Sequence, residues 1–111
     1  MLESKLQHQA RLWLGSQPDL VVFRNNVGNI ETEHGTRMQF GLLPGSCDLI
    51  GWTKPNGRFF ALELKGPHGR LTEKQRLFID LVRQGGGFAA VARSMEEVRD
   101  AYERAILGLN G

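Results

Sequence analysis

A chain of 111 residues can build one hydrophobic core but not two, so a single domain over 1–111 is expected. Its 41% hydrophobic and 23% charged content argues against disorder, and no apolar run approaches the roughly 20 residues that span a bilayer. The net charge of +2 names no partner by itself, and MLESKLQHQA lacks an apolar signal-peptide core, which points to the cytoplasm.

Residues 2 to about 14 are expected to form an amphipathic helix, with Leu2, Leu6, Ala10 and Trp13 at helical spacing and Glu3 and Gln7 on a neighbouring face. Gly15 to Pro18 ends it. The β-branched and aromatic run Leu20-Val21-Val22-Phe23 opens a strand that extends to about Asn26. Residues 27–44 are punctuated by Gly28, Gly35, Gly41 and Pro44, and Thr36–Phe40 suits a short hairpin strand turning at His34-Gly35. This stretch can serve as a DNA-binding hairpin, a dimer arm or a mobile loop.

Asp48 to Trp52 reads as the next strand, Pro55-Asn56-Gly57 as a turn, and Arg58 to Lys65 as a further strand. After Gly66-Pro67-His68-Gly69, the sequence Thr72-Glu73-Lys74-Gln75 fits a capping box that opens a helix, with Leu77, Phe78, Leu81 and Val82 as its apolar stripe. Gly85 to Gly87 stops that helix, and Phe88 to Ala92 makes a short strand. Ser94-Met95-Glu96-Glu97 is a second capping box, opening a helix with Met95, Val98, Ala101, Tyr102, Ala105 and Ile106 on one side. The expected order is α-β-β-β-α-β-α, a mixed sheet flanked by helices in an α/β fold.

Charge is distributed unevenly along this order. Residues 54 to 76 hold six basic groups (Lys54, Arg58, Lys65, Arg70, Lys74, Arg76) against two acids (Glu63, Glu73), a local excess of +4. The flanking segments are each slightly acidic. Such a concentration suits a polyanion, and His68, Arg70 and Lys74 are candidates for phosphate contacts.

On the strand from Phe59 to Lys65, Glu63 and Lys65 share one face while Leu62 and Leu64 face the core. A Glu-x-Lys by itself suits an ordinary surface ion pair. Asp48, however, begins the preceding strand, and the tight turn near residue 56 brings it opposite Glu63. Like charges facing across a sheet are destabilising unless neutralised, and hard carboxylate oxygens suit Mg²⁺ or Mn²⁺. Lys65 can position an attacking water or stabilise charge on a phosphate. Cys47, the only cysteine, excludes an internal disulfide, argues against a cysteine-built zinc site, and suits a small buried apolar residue better than a nucleophile. His8, His34 and His68 have no metal-ligand spacing.

The set Gly45-Ser46-Cys47-Asp48 followed by Ala61-Leu62-Glu63-Leu64-Lys65 resembles the PD-(D/E)xK nuclease superfamily, and within it the virus-type replication–repair nuclease family, VRR-NUC. Glu3, Arg24-Asn25, Gly28, Asp48, Glu63, Lys65 and Gln75 stand where that family's pattern has its early Glu, Arg-Asn, Gly, Asp, Glu-x-Lys and downstream Gln. Cys47 departs from it, replacing a customary Pro that shapes backbone. The resemblance implies a restriction-endonuclease-like core and divalent-metal cleavage of DNA. It also implies branched substrates such as Holliday junctions and a homodimer.

On this basis Asp48, Glu63 and the Leu64 backbone carbonyl are the expected metal ligands, assisted by Glu3. Lys65 and Gln75 complete the catalytic set. Glu3 equally suits a plain carboxylate at a helix start, and Gln75 suits its capping box. Arg24 and Asn25 suit phosphate contacts, ordering of the site, or a turn. Two other functions fit the sequence: a non-catalytic nucleic-acid-binding domain of the same fold, and a partner-recruiting module.

Overall fold

The computed structural model describes residues 1–25, 28–31, 33–35, 37–40 and 43–111. Its elements are α1 (Glu3–Gly15), β1 (Leu20–Arg24), β2 (Gly28–Glu31), β3 (Arg37–Phe40), β4 (Leu49–Thr53), β5 (Phe59–Leu64), α2 (Glu73–Gln84), β6 (Phe88–Ala92) and α3 (Met95–Ile106). Strands β1, β4, β5 and β6 form one sheet in that spatial order. The first three are antiparallel neighbours, and β6 runs parallel to β5. A parallel neighbour needs a crossover, which α2 supplies. This is the mixed α/β core expected of a PD-(D/E)xK domain.

Alternation along the strands sends side chains to two separate cores. On one face, Leu20, Leu49, Phe60, Leu62, Leu64, Phe88, Ala90 and Ala92 pack under α1 and α3. Phe60 and Phe88 stack there with centroids 5.4 Å apart. On the other face, Ile50, Ala61 and Ala89 pack with Cys47 under Ile79 of α2. Both faces of the central strands are covered, which is why β5 is buried from Phe60 to Leu64.

The expected hairpin forms, with a partner strand that sequence alone did not assign. β2 and β3 pair antiparallel from Gly28↔Phe40 to Glu31↔Arg37, around a turn in which Gly35 takes φ +75°. They make a two-stranded sheet of their own, so two strands beyond the simple order precede α2 among the described residues. Asn26 and Thr36, expected strand termini, lie outside the described residues.

All three apolar stripes differ from expectation; on α3 it is Ile106, at the last turn, that is exposed. In α2 the sheet-facing side chains are Ile79, Phe78 and Val82, while Leu77 and Leu81 are exposed. Leu77 and Leu81 each stand two residues from Ile79, about 200° around the helix, so they point away once Ile79 docks on Ala61 and Ala89. In α1 the buried row is Leu6, Ala10 and Leu14; Leu2 is exposed, and Trp13 meets Tyr102 edge-on at 5.3 Å.

Both expected caps are present, one in altered form. Thr72 and Gln75 make the full reciprocal box at α2. At α3 the Ser94 hydroxyl accepts the Glu97 N–H at 3.1 Å, but the Glu97 carboxylate accepts the N–H of Arg93, at 2.8 Å, instead of that of Ser94.

Candidate metal and nuclease site

Asp48 and Glu63 stand at the open end of the β4–β5 hairpin. The register Leu49↔Leu62 continues one step back to Asp48 opposite Glu63, as the short turn requires. Asp48 sits just before β4, and its Oδ2 accepts the Leu64 N–H at 2.9 Å, a bond that fixes the carboxylate across the hairpin. Asn25 holds the segment leading to Asp48. Its Nδ2 donates to Ser46 Oγ at 2.7 Å and to the Cys47 carbonyl at 3.0 Å, while its backbone N–H donates to the Asp48 carbonyl at 2.8 Å.

Glu63 is only 2% exposed. Its Oε1 is approached by Gln75 Nε2 at 3.4 Å and Lys65 Nζ at 3.8 Å. Its Oε2 is buried with no hydrogen-bond partner. Burial first, then the Asp48 charge, push the Glu63 carboxyl up to about 8, with Lys65 pulling the other way. An ionised carboxylate with one orphaned oxygen beside a second carboxylate is electrostatically incomplete. A hard divalent cation fits that deficit in charge and donor type.

Glu3 is exposed at the start of α1, near Gly66, and its charge adds to the negative field at Glu63. Among the described residues, no group of three or more His, Cys, Asp or Glu side chains is close enough to hold a metal together. Glu3 therefore stands beside the Asp48–Glu63 pair rather than in it. Gln75 belongs to both of its expected settings: its Oε1 accepts the Thr72 N–H at 2.9 Å while its Nε2 faces Glu63.

The basic candidates divide. Lys65, His68, Arg70 and Lys74 follow one another from the end of β5 into the first turn of α2, on the side of the carboxylates; His68, Arg70 and Lys74 are exposed. Arg24 is exposed at the end of β1. Lys54 and Arg58 lie at the opposite end of the hairpin, and Arg58 donates to the carbonyls of Ala105 and Leu109. Arg76 lines a groove with Asp80 and Arg83. The +4 segment is thus one block in sequence but several places in space, because an antiparallel hairpin sends its turn to the far end.

Cys47 is buried, and its thiol is pushed well up by burial and by the neighbouring carboxylates, which fits a packing role. No local sequence pattern marks Arg93, yet its Nη1 donates to the carbonyls of Gly66 at 2.8 Å and Gly69 at 2.6 Å, just past Lys65. The available signal was the parallel step: if Phe88–Ala92 pairs with β5, the residue after Ala92 falls beside the residue after Leu64.

A mixed sheet covered by helices on both faces, with an aspartate and a Glu-x-Lys at one end of adjacent strands, defines a PD-(D/E)xK-type core. The VRR-NUC domain model matches residues 33–96, more than half of the chain. The protein belongs to the VRR-NUC family, and so to a family of nucleases. No curated protein matches the sequence.

Proposed function

We propose that this protein is a Mg²⁺- or Mn²⁺-dependent endodeoxyribonuclease that cuts branched DNA, such as Holliday junctions, as a cytoplasmic homodimer. The observation that carries this proposal is Glu63. A buried carboxylate with an orphaned Oε2, beside Asp48 and within 4 Å of the Lys65 ammonium, is what a cation site needs and what a packing role does not.

Asp48, Glu63 and the Leu64 backbone carbonyl would hold the cation, with Glu3 on α1 adding its negative field from beside the pair. When bound, it supplies Lewis acidity and neutralises charge on the phosphate. The protein's own groups do the rest. The Leu64 N–H keeps Asp48 facing Glu63, and Gln75 orients the Glu63 carboxylate. Lys65 places the attacking water and meets negative charge as it develops on the phosphate. Arg70, Lys74, His68 and Arg24 engage backbone phosphates on either side of the scissile bond.

A site this small acts on one strand. Two copies related by a twofold axis would address two strands of a symmetric junction, which favours the dimer and the branched substrate together. No helix of the described residues is long and apolar enough to cross a membrane.

The test is a panel of four-way junction, flap, linear duplex and single-stranded DNA, incubated with the purified chain at fixed salt with Mg²⁺, Mn²⁺ or EDTA. Metal-dependent cleavage, greatest on the junction, is expected, with Lys65→Ala slower by at least ~10²-fold. Equal cleavage by Lys65→Ala would overturn the catalytic assignment.

A further inference from the structure

We infer that Arg93 is a positioning residue that sets the placement of the Lys65 ammonium through the Gly66–Gly69 loop. This rests on the reading of Lys65 as part of a nuclease site.

Lys65 ends the ladder between β5 and β6: its N–H donates to the Ala92 carbonyl at 3.1 Å, after which the chain leaves the sheet. Its side chain is a flexible four-carbon stem with about 2 kcal/mol of rotamer freedom, so the ammonium keeps one position only where the stem is packed. It is packed here, with 13% of the side chain exposed and Nζ 3.8 Å from Glu63 Oε1.

Part of that packing is Gly69. A Cβ placed on Gly69 would lie 3.3 Å from Lys65 Cδ and 3.5 Å from its Cβ, so the bare Cα of Gly69 closes over the stem. The loop is a tight turn, with the Gly69 N–H donating to the Gly66 carbonyl at 3.3 Å. That single long bond is a weak tie for two flexible glycines.

Arg93 supplies the stronger one. A guanidinium Nη1 carries two hydrogens, and here one meets Gly69 O at 2.6 Å and the other Gly66 O at 2.8 Å. Both bonds are charge-assisted, and the planar fork gives them direction. Arg93 is itself anchored, since its backbone N–H donates to Glu97 Oε1 at 2.8 Å in the first turn of α3. The connection runs from the start of α3, through Arg93 and two loop carbonyls, to the stem of Lys65. No ion pair to a carboxylate diverts Arg93 among the described residues.

The experiment separates positioning from mere support of the fold. Arg93→Met and Gly69→Ala are made in the wild-type chain and in Lys65→Ala, and cleavage of four-way junction DNA in Mn²⁺ is followed under single-turnover and steady-state conditions. In the Lys65 background each variant is expected to lower kcat by about tenfold or more, with KM changed by less than about twofold. In the Lys65→Ala background neither should slow cleavage further, because a residue acting through Lys65 has nothing left to position. Arg93→Lys, which can still reach a carbonyl, should recover part of the loss. Equal losses in both backgrounds, or none in either, overturn the inference.

A second readout needs no activity. Nuclear Overhauser contacts between the Gly69 α protons and the Lys65 side-chain methylenes should be strong in the wild type and lost in Arg93→Met while amide dispersion is kept. Their persistence in Arg93→Met overturns the inference. If Arg93→Met does not fold, Gly69→Ala and Arg93→Lys carry the kinetic comparison. If the wild type cuts no DNA with any metal, the nuclease reading fails, and the Overhauser contacts alone decide the role of Arg93.

Discussion

Gln75 reaches the Glu63 carboxylate with the same amide that starts helix α2. Its Oε1 accepts the Thr72 N–H at 2.9 Å while Nε2 lies 3.4 Å from Glu63 Oε1. A capping box needs an acceptor at this position and leaves the amide nitrogen free. One residue can therefore begin the helix and orient a buried carboxylate.

The two roles separate by comparing Thr72→Ala with Gln75→Ala. Each removes half of the box and should lower stability by about 1 kcal/mol in urea melts. Only Gln75→Ala also frees Glu63, so only that variant should slow metal-dependent cleavage, by about tenfold or more. Equal rates in the two variants would reduce Gln75 to a cap.

The Asp48–Glu63 pairing was legible because a short turn fixes an antiparallel register, and residues equidistant from it must face each other. The caps were legible because Thr-x-x-Gln and Ser-x-x-Glu are local patterns. Strand β2 was not: Gly28-Asn29-Ile30-Glu31 has one β-branched residue, and its pairing with β3 is what makes it a strand. The face of α2 was not either, since Leu77 and Leu81 compete in the sequence with Phe78, Ile79 and Val82 until the sheet selects between them. Arg93 was not legible either, because a parallel step joins it to a loop far back in the chain, and no local pattern reports that contact.

Burial, followed by Asp48, raises the Glu63 carboxyl from the ordinary 4.5 to about 8. Between those values the native protein holds a proton at this group that the unfolded chain has released. Stability from this group is then full below about pH 4.5 and lost as pH rises through about 8. In EDTA, the melting temperature of the wild type relative to Glu63→Gln should fall steadily from pH 5 to 8.5. Saturating Mn²⁺ should flatten or reverse that fall, since a cation binds the deprotonated carboxylate. Calorimetric scans across pH decide the matter; a pH-independent difference in EDTA would contradict it.

Arg24 and Asn25 are adjacent and should behave differently. Asn25 uses both amide hydrogens on Ser46 Oγ and the Cys47 carbonyl, so Asn25→Ala should cost roughly 1–3 kcal/mol and loosen the segment that presents Asp48. Weaker Mn²⁺ binding in calorimetric titration is the expected sign of that loosening. Arg24 is exposed, and Arg24→Ala should leave the melt unchanged while weakening DNA binding and lowering its salt dependence by about one counterion. Anisotropy titrations over a range of salt measure this, and an unchanged salt slope would remove Arg24 from the DNA contact set.

Gly45 sets how closely the Asp48 segment approaches helix α2. It takes φ +89°, and a Cβ there would lie 2.6 Å from the backbone carbonyl carbon of Lys74. Gly57 also has positive φ, +68°, but a Cβ on it would meet nothing within 4 Å. Gly57→Ala should therefore pay only the left-handed conformational penalty, about 1–2 kcal/mol. Gly45→Ala adds a clash with helix backbone, which cannot rotate away as a side chain can. Its destabilisation should exceed that of Gly57→Ala by at least about 1 kcal/mol in denaturant melts. If the chain relieves the clash by moving residues 45–48 away from α2, Asp48 leaves its place beside Glu63, and Mn²⁺ affinity falls along with stability. Gly57→Ala, at the far end of the hairpin, should leave that affinity unchanged. Matching melts and matching Mn²⁺ affinities in the two variants would mean that the close packing of Gly45 on Lys74 does not hold Asp48 in position.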